Sequence, residues 1–427
     1  MRQTLFFIPA EIAGHQVFGF GLGLAVWAAV SIAVLAWLAW RQGFNADTWG
    51  YVPILLLIGA VIGWVLPVLC EPQGLPIRGY GMMMLLAVLS GTSLAAWRAK
   101  RVGLNPDLIL SLAFWMLVPG ILGARAFYVI EYWPEYWRIF NDPDGGLGGF
   151  LGGVLNVAKG GLVVYGSFFG ALVGVLLFLR KHRLPLLALC DLIAPAMLLG
   201  LAIGRVGCLM NGCCFGAVCD CDCAIAFPPE SPPYRAQVER GQMYGFTLSG
   251  NPEAAPRVLA VDPGRPADSA GLQPGDRLQS INGYKLTVTR QAYWVLEEAF
   301  RKHLPLRVRV TDRPELTIPA VEPPPRSCPV HPTQIYSTIG ALLLCLVLLA
   351  YEPFHRRDGE LFALMLSTYP ILRFFIEHLR TDEAAVFGTG MSISQNVSLL
   401  VLVCAAALWY YILRRPCGLA FQKGVES

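Results

Sequence analysis

"CDLIAPAMLLGLAIGRVGCLMNGCCFG", residues 190–216, joins an apolar run to a cluster of reactive side chains. From Leu192 to Ile203 no side chain is polar or charged. A hydrocarbon core about 30 Å thick takes about 20 apolar residues of helix, and this block is of that order. Yet Arg205 lies inside it, and Asn211, Cys208, Cys213 and Cys214 lie at its end. An ionisable group in a membrane span is costly and marks a functional position by default.

The rest of the chain repeats the pattern. Of 427 residues, 55% are hydrophobic and only 15% charged, which excludes an ordinary soluble globular protein. Apolar blocks at 17–40, 52–70, 79–97, 108–130, 161–179, 186–209, 335–351, 361–378 and 393–413 predict about nine transmembrane helices. The first starts late and lacks a small-residue cleavage site, so it reads as a retained helix. Basic clusters follow the third, fifth, seventh and ninth blocks, as "RAKR", "RKHR", "HRR" and "RR". Alternating spans put all four on one side, which the positive-inside bias makes cytoplasmic. The N-terminus and the loops 131–160, 210–334 and 379–392 then face outward, and the C-terminus inward. The net charge of +4 suggests no nucleic-acid partner.

The long outer loop is not membrane-like. Val258, Ala260 and Val261 read as a strand, and "DPGRPADSAGL" turns into a short helix. "QPGDRLQSINGYKL" reads as strand, Asn-Gly turn and strand. "TRQAYWVLEEAFRKH" has helical spacing, and "PLRVRVTD" alternates as a strand. The run "PGRPADSAGLQPGDRLQSING", 263–283, resembles a PDZ domain of the bacterial envelope type, over about 243–320. That resemblance implies a carboxylate-binding loop at Tyr244, Gly245, Phe246 and Thr247, where an extended C-terminal peptide would add to the sheet edge. A domain that merely packs on the membrane part is the other reading.

Further stretches complete a second pattern: "IRGYGMMM" (77–84), "GILGARAFYV" (120–129), "HPTQIY" (331–336) and "YPILRFFIEHLR" (369–380). With the opening stretch, and in this order, they resemble the prolipoprotein diacylglyceryl transferases. The fold class implied is an all-α polytopic membrane protein with a seven-helix transferase-like core and an inserted α/β PDZ domain. Its parts are an extra N-terminal region at 1–74, core at 75–225 and 328–416, and the insertion at 243–320. The resemblance implies a bacterial inner-membrane enzyme with its N-terminus and PDZ domain in the periplasm. Its substrates would be phosphatidylglycerol and the signal peptide and lipobox cysteine of a prolipoprotein. The diacylglyceryl group would pass to the thiol as a thioether, releasing glycerol phosphate, with no cofactor and no metal.

The residues suit that chemistry. Arginine offers a planar fork of donors for phosphate and stays charged, so Arg205 and Arg373 read as a clamp. Tyr369, Arg373 and Glu377, spaced i, i+4, i+8, share one helix face. Tyr80 and Asn211 offer hydrogen bonds to glycerol or phosphate. Gly166, Gly216, Asp191 and Arg125 complete the lipid-binding positions implied by the resemblance; for Arg125 and Asp191 a structural role is the competing reading.

Three departures stand against the family pattern. Its usual His-Gly-Gly reads Tyr165-Gly166-Ser167 here, its Gly-Asn reads Gly207-Cys208, and Cys213 replaces an acidic residue. Tyrosine, of ordinary pKa about 10, is a poor thiol base at neutral pH; His331 is a candidate substitute, with a structural role as its favoured reading. The chain thus reads as a divergent transferase, a transferase with another acceptor, or a lipid-binding envelope receptor without catalysis. A zinc intramembrane protease is excluded by the lack of His-Glu-x-x-His. For Cys213, Cys214, Cys219, Cys221, Cys223 and Cys328, disulfides in an oxidising compartment are the favoured reading, without assigned pairs. Metal is the second reading, since "CDCDC" lacks the matching ligand pair of a zinc site. A thiol role in catalysis is the third.

Overall fold

The computed structural model describes residues 3–12, 14–43, 52–142, 146–155, 161, 163–311, 313–380 and 390–421. Parts of the expected outer loops, 143–145, 156–160 and 381–389, lie outside the described residues. The chain divides into two compact units, 83–110 with 183–427, and 2–82 with 111–182. It is mostly helical. Among the described residues, six helices are long and apolar enough to cross a membrane, the mark of a polytopic membrane protein.

In the second unit, β1 (Thr4–Ile8) pairs antiparallel with β4 (Leu75–Arg78), and β2 (Glu11–Ile12) with β3 (His15–Gln16). Helix α1 spans Leu22–Gln42. The block at 52–70 is broken into α2 (Val52–Ala60), a π turn (Val61–Val65) and α3 (Leu66–Leu69). Helix α4 (Gly79–Arg101) begins here and runs into the other unit, where α5 (Pro106–Glu131) begins before crossing back. Two short helices, α6 (Trp133–Asn141) and α7 (Gly146–Leu155), precede α8 (Val164–His182).

Helices α5 and α8 meet through glycines. A Cβ at Gly166 would collide with the Gly123 carbonyl oxygen, and one at Gly170 with that of Pro119. Membrane helices approach closely where small residues repeat every four positions, and Gly166, Gly170 and Gly174 supply that stripe.

The first unit is built on α9 (Leu186–Asn211), α13 (Thr333–Tyr351), α14 (Glu360–His378) and α15 (Ile393–Leu413). On α13 the buried positions are Ala341, Cys345 and Leu348, one helix face, while Leu342, Leu343, Leu346 and Val347 are exposed. The buried face packs with Ala194, Leu198, Leu361 and Met365 from α9 and α14. Exposed leucines on this scale are unfavourable in water and at rest against lipid. Buried Arg98 on α4 ties the helices together. It donates to the Asp191 carbonyl oxygen at 2.8 Å and pairs with Glu352 at 3.3 Å.

Between α9 and α13 lies an α/β module. Helix α10 (Pro232–Glu239) leads to β5 (Phe246–Leu248), which pairs with β6 (Val258–Val261). After the short α11 (Pro266–Ser269), a four-stranded sheet is ordered β10-β9-β7-β8. Its strands are β7 (Leu278–Ile281), β8 (Tyr284–Lys285), β9 (Leu306–Val310) and β10 (Leu316–Ile318). Asn282 and Gly283 turn β7 into β8 with φ of 50° and 82°, the conformation that Asn-Gly hairpin turns require. Helix α12 (Thr289–Arg301) buries Ala292, Val295, Leu296, Ala299 and Phe300 against this sheet.

The expected peptide-binding edge is taken by the chain itself. The N–H groups of Tyr244 and Phe246 donate to the Gly241 carbonyl oxygen at 2.9 and 3.3 Å, and that of Gly245 to Gln242 at 3.1 Å. The Leu248 N–H donates to Arg240 at 3.0 Å, so residues 240–241 run along β5. Tyr244 and Phe246 are buried in the module core, and burial pushes the Tyr244 hydroxyl up to about 12. Tyr244, Gly245, Phe246 and Thr247 therefore do not form an open nest for a chain terminus. Helix α10, with Tyr234 edge-on to Phe300 at 6.2 Å, lies against α12.

Candidate active site

Three guanidinium groups meet where α9 ends beside α14. Helix geometry puts Tyr369, Arg373 and Glu377 on one face of α14, and Arg380 follows at its end. Glu377 is buried and its Oε2 pairs with Arg373 at 2.8 Å and Arg380 at 3.3 Å. Its Oε1 accepts from Ser392 Oγ at 3.3 Å, and Arg373 donates to Ser394 Oγ at 3.0 Å. Gln395 completes the capping box of α15 with Ser392 and also reaches His378 Nδ1 at 3.0 Å. The start of α15 is thereby fixed against the end of α14.

Arg205 comes in from α9 and hydrogen-bonds the Tyr369 side chain; Arg205 and Arg380 both lie close enough to act electrostatically on Arg373. Among the described residues, three arginines thus gather around one carboxylate. Guanidinium forks match phosphate oxygens.

The loop after α9 is held by α13. Thr333 Oγ1 donates to the Cys214 carbonyl oxygen at 2.5 Å and Gln334 Nε2 to that of Cys213 at 2.7 Å. Gly216 sits where three segments converge. Its N–H bonds the His331 carbonyl oxygen at 3.0 Å, it bridges to Arg380, and an added Cβ would lie 2.7 Å from His331 Cβ and 2.8 Å from the Leu379 carbonyl oxygen. Only glycine lets this loop position Arg380 so closely. The Asn211 side chain bonds Cys213. Hydrogen bonds from the Cys208 and Cys213 thiols, with Arg380 and Arg205 nearby, hold the Cys214 thiol below its ordinary value despite burial.

Several expected site residues have other duties. Asp191 accepts the N–H groups of Gly359 and Phe362 at 2.6 and 2.8 Å, capping α14. It precedes Arg205 by fourteen residues of the same helix, about 21 Å at 1.5 Å per residue, so it does not join the arginine site. Arg125 spends its donors on the Val154, Gly161 and Gly153 carbonyl oxygens and the Tyr136 hydroxyl, at 2.6 to 3.0 Å. It is an anchor for α7 rather than a lipid clamp. Gly166 serves the α5–α8 contact. Tyr80 near the start of α4 and Tyr165 near that of α8 belong to the other unit and are exposed. In this structure no disulfide bond joins Cys213, Cys214, Cys219, Cys221, Cys223 or Cys328.

Arg380, Ser392, Ser394 and Gln395 were not singled out by the sequence. The available signals were the i+3 spacing of Arg380 from Glu377 and the Ser-x-x-Gln spacing of Ser392 and Gln395 before an apolar run.

A family model described as prolipoprotein diacylglyceryl transferase matches residues 67–411. This chain belongs to the prolipoprotein diacylglyceryl transferase family. A phosphatidylglycerol–prolipoprotein diacylglyceryl transferase of Rhodopirellula baltica is 35% identical, with 100% of this chain and 90% of that protein covered. Relatives of the same name in Trichormus variabilis and Clostridium tetani are 27% and 25% identical, covering 82% and 79% of this chain and 91% and 94% of theirs. The family match spans both α9 and α14, and with them every arginine of the site.

Proposed function

We propose that this chain transfers the diacylglyceryl group of phosphatidylglycerol to the lipobox cysteine of a prolipoprotein. The observation that carries this reading is the Arg205–Arg373–Arg380 cluster organised by Tyr369 and Glu377. In the reaction a thiolate sulfur attacks a glycerol carbon of the lipid. A C–S bond forms, the C–O bond to phosphate breaks, and glycerol phosphate leaves with the electron pair. The phosphate passes from one negative charge toward two, so guanidinium groups fixed beside it favour the transition state over the bound lipid. Asn211 and Tyr369 supply hydrogen bonds to the lipid head group. The thiol proton leaves to a base other than the family's usual histidine, whose sequence position holds Tyr165 here.

In this reading the apolar blocks make nine spans of a bacterial inner-membrane protein, with the N-terminus and α/β module periplasmic. The module is a PDZ-type domain that gates the protein substrate. Supporting this, a cavity of about 310 Å³ between the module and the exit of α9 is lined by Gly216, Val218, Arg240, Leu248 and Leu259. A second reading, lipid binding without transfer, draws on Tyr165 alone.

The test supplies phosphatidylglycerol labelled in its diacylglyceryl part and a lipobox peptide to purified full-length protein. Wild type labels the peptide, and Arg205→Ala reduces labelling at least a hundredfold while remaining folded. Absence of labelling by a folded wild type that binds the lipid would move the assignment to the second reading.

A further inference from the structure

Outside the arginine site, a second cluster of thiols gathers at the root of the module. Cys219 and Cys221 Sγ atoms are 2.8 Å apart, and Cys221 and Cys223 Sγ atoms 3.2 Å. His331 Nδ1 lies 3.7 Å from Cys221 Sγ, and the Tyr336 hydroxyl 3.1 Å from Cys223 Sγ. The backbone explains the convergence. Val218 and Ile225 both bridge to Val330, so the loop carrying the three cysteines is pinned at both ends beside His331. The Ala217 carbonyl oxygen accepts the His331 N–H at 3.0 Å, and Cys219 N–H donates to Pro329 at 3.1 Å.

We propose that Cys219, Cys221, Cys223 and His331 form a binding site for a thiophilic divalent cation of the zinc class. Three thiolates and one imidazole are a structural zinc donor set, and two sulfur ligands of one zinc, each about 2.3 Å from it, lie no more than about 4.6 Å apart. The ligand atoms of Cys219, Cys221 and His331 lie within 4.8 Å of one another, and Cys223 adjoins Cys221. The alternating "CDCDC" spacing lacks a second ligand pair in sequence; the fold provides the missing imidazole from across 110 residues. Three clustered thiols cannot all pair as disulfides. Cys328 belongs to neither thiol cluster.

Binding exchanges the three thiol protons for the cation. The ion would clasp the two roots of the module together, one leaving α9 and one entering α13. His331 is then a ligand, not a thiol base. The site is separate from the trio Cys208, Cys213 and Cys214, and it stands whether or not the chain transfers lipid.

The experiment uses full-length protein in detergent, reduced, stripped by chelation and titrated with Zn²⁺ or Co²⁺. The expected result is one tightly held equivalent, with a thiolate-to-cobalt charge-transfer band and tetrahedral cobalt absorption. Cys221→Ser loses that equivalent, whereas Cys213→Ser and Cys417→Ser keep it. On wild type alone, Zn²⁺ shields Cys219, Cys221 and Cys223 from alkylation while exposed Cys404 and Cys417 react equally with and without it. The proposal is overturned by no retained metal in wild type, by metal lost with Cys213→Ser and kept with Cys221→Ser, or by alkylation of the three thiols that Zn²⁺ leaves unchanged.

Discussion

At the residue scale, Glu377 is the organiser and the arginines are the instrument. One buried carboxylate fixes two guanidinium groups, and breaking a buried pair costs about 3–5 kcal/mol because a charge is left uncompensated. Glu377→Gln keeps the shape and removes the charge. Transfer is expected to fall at least tenfold in the labelled-lipid assay, with lipid binding retained; full activity would mean that the arginines hold position without it. Arg373→Lys should fall likewise, since an ammonium cannot offer the fork. Asp191→Asn is the contrast. It leaves one of the two α14 N–H groups without its acceptor, a loss of about 1–3 kcal/mol, so the melting temperature drops while transfer per folded molecule is unchanged. Arg205, Tyr369, Arg373 and Glu377 were legible because charges in apolar helices stand out and helical spacing is regular. Asp191 and Arg125 stay open between two readings for the same reason: sequence shows a costly charge but not which carbonyl or N–H meets it. Arg380 was missed because its place depends on Gly216, 164 residues earlier in the chain.

At the element scale, hydropathy located the helices better than it described them. Every apolar block overlaps helical structure, since about 20 apolar residues in lipid must satisfy their own backbone. The break at Val61–Val65 carried no comparable signal, and α6 and α7 arise in a loop with no long apolar run. The α5–α8 contact shows what composition leaves open. Gly166 reads as a motif glycine, yet its surroundings are the Gly123 carbonyl oxygen and the Phe127 side chain. Gly166→Val is expected to part the two helices, lowering the yield of folded protein and its melting temperature. Gly152→Ala, with nothing within 4 Å of an added Cβ, should change neither. Equal melting curves for both variants would remove the packing role.

At the scale of the whole molecule, the inserted module has roots as well as a core. Its strands were legible from alternation and Asn-Gly turns, but its boundary was not, because α10 carries no strand pattern. Tyr234 and Val238 of α10 belong to the module core, and the Tyr234 hydroxyl donates to the Pro324 carbonyl oxygen at 3.1 Å. Cutting at 243–320 would therefore strip two buried side chains of their partners. The natural seam lies lower, where Phe227 N–H donates to Ser327 Oγ at 2.9 Å and Ser327 N–H to the Phe227 carbonyl oxygen at 2.8 Å. A chain joining 227 to 327 through a short glycine linker should keep the membrane core folded, because those ends already touch. Removal of 243–320 should instead expose α10 and lower the melting temperature. The joined chain then separates scaffold from gate. It retains Arg205, Arg373, Arg380 and the cysteine loop, so lipid binding persists. If the module governs access of the protein substrate, the labelled-lipid assay will show a changed KM for the lipobox peptide with lipid affinity unaltered. An unchanged peptide KM, rate and acceptor choice would leave the module with no part in transfer.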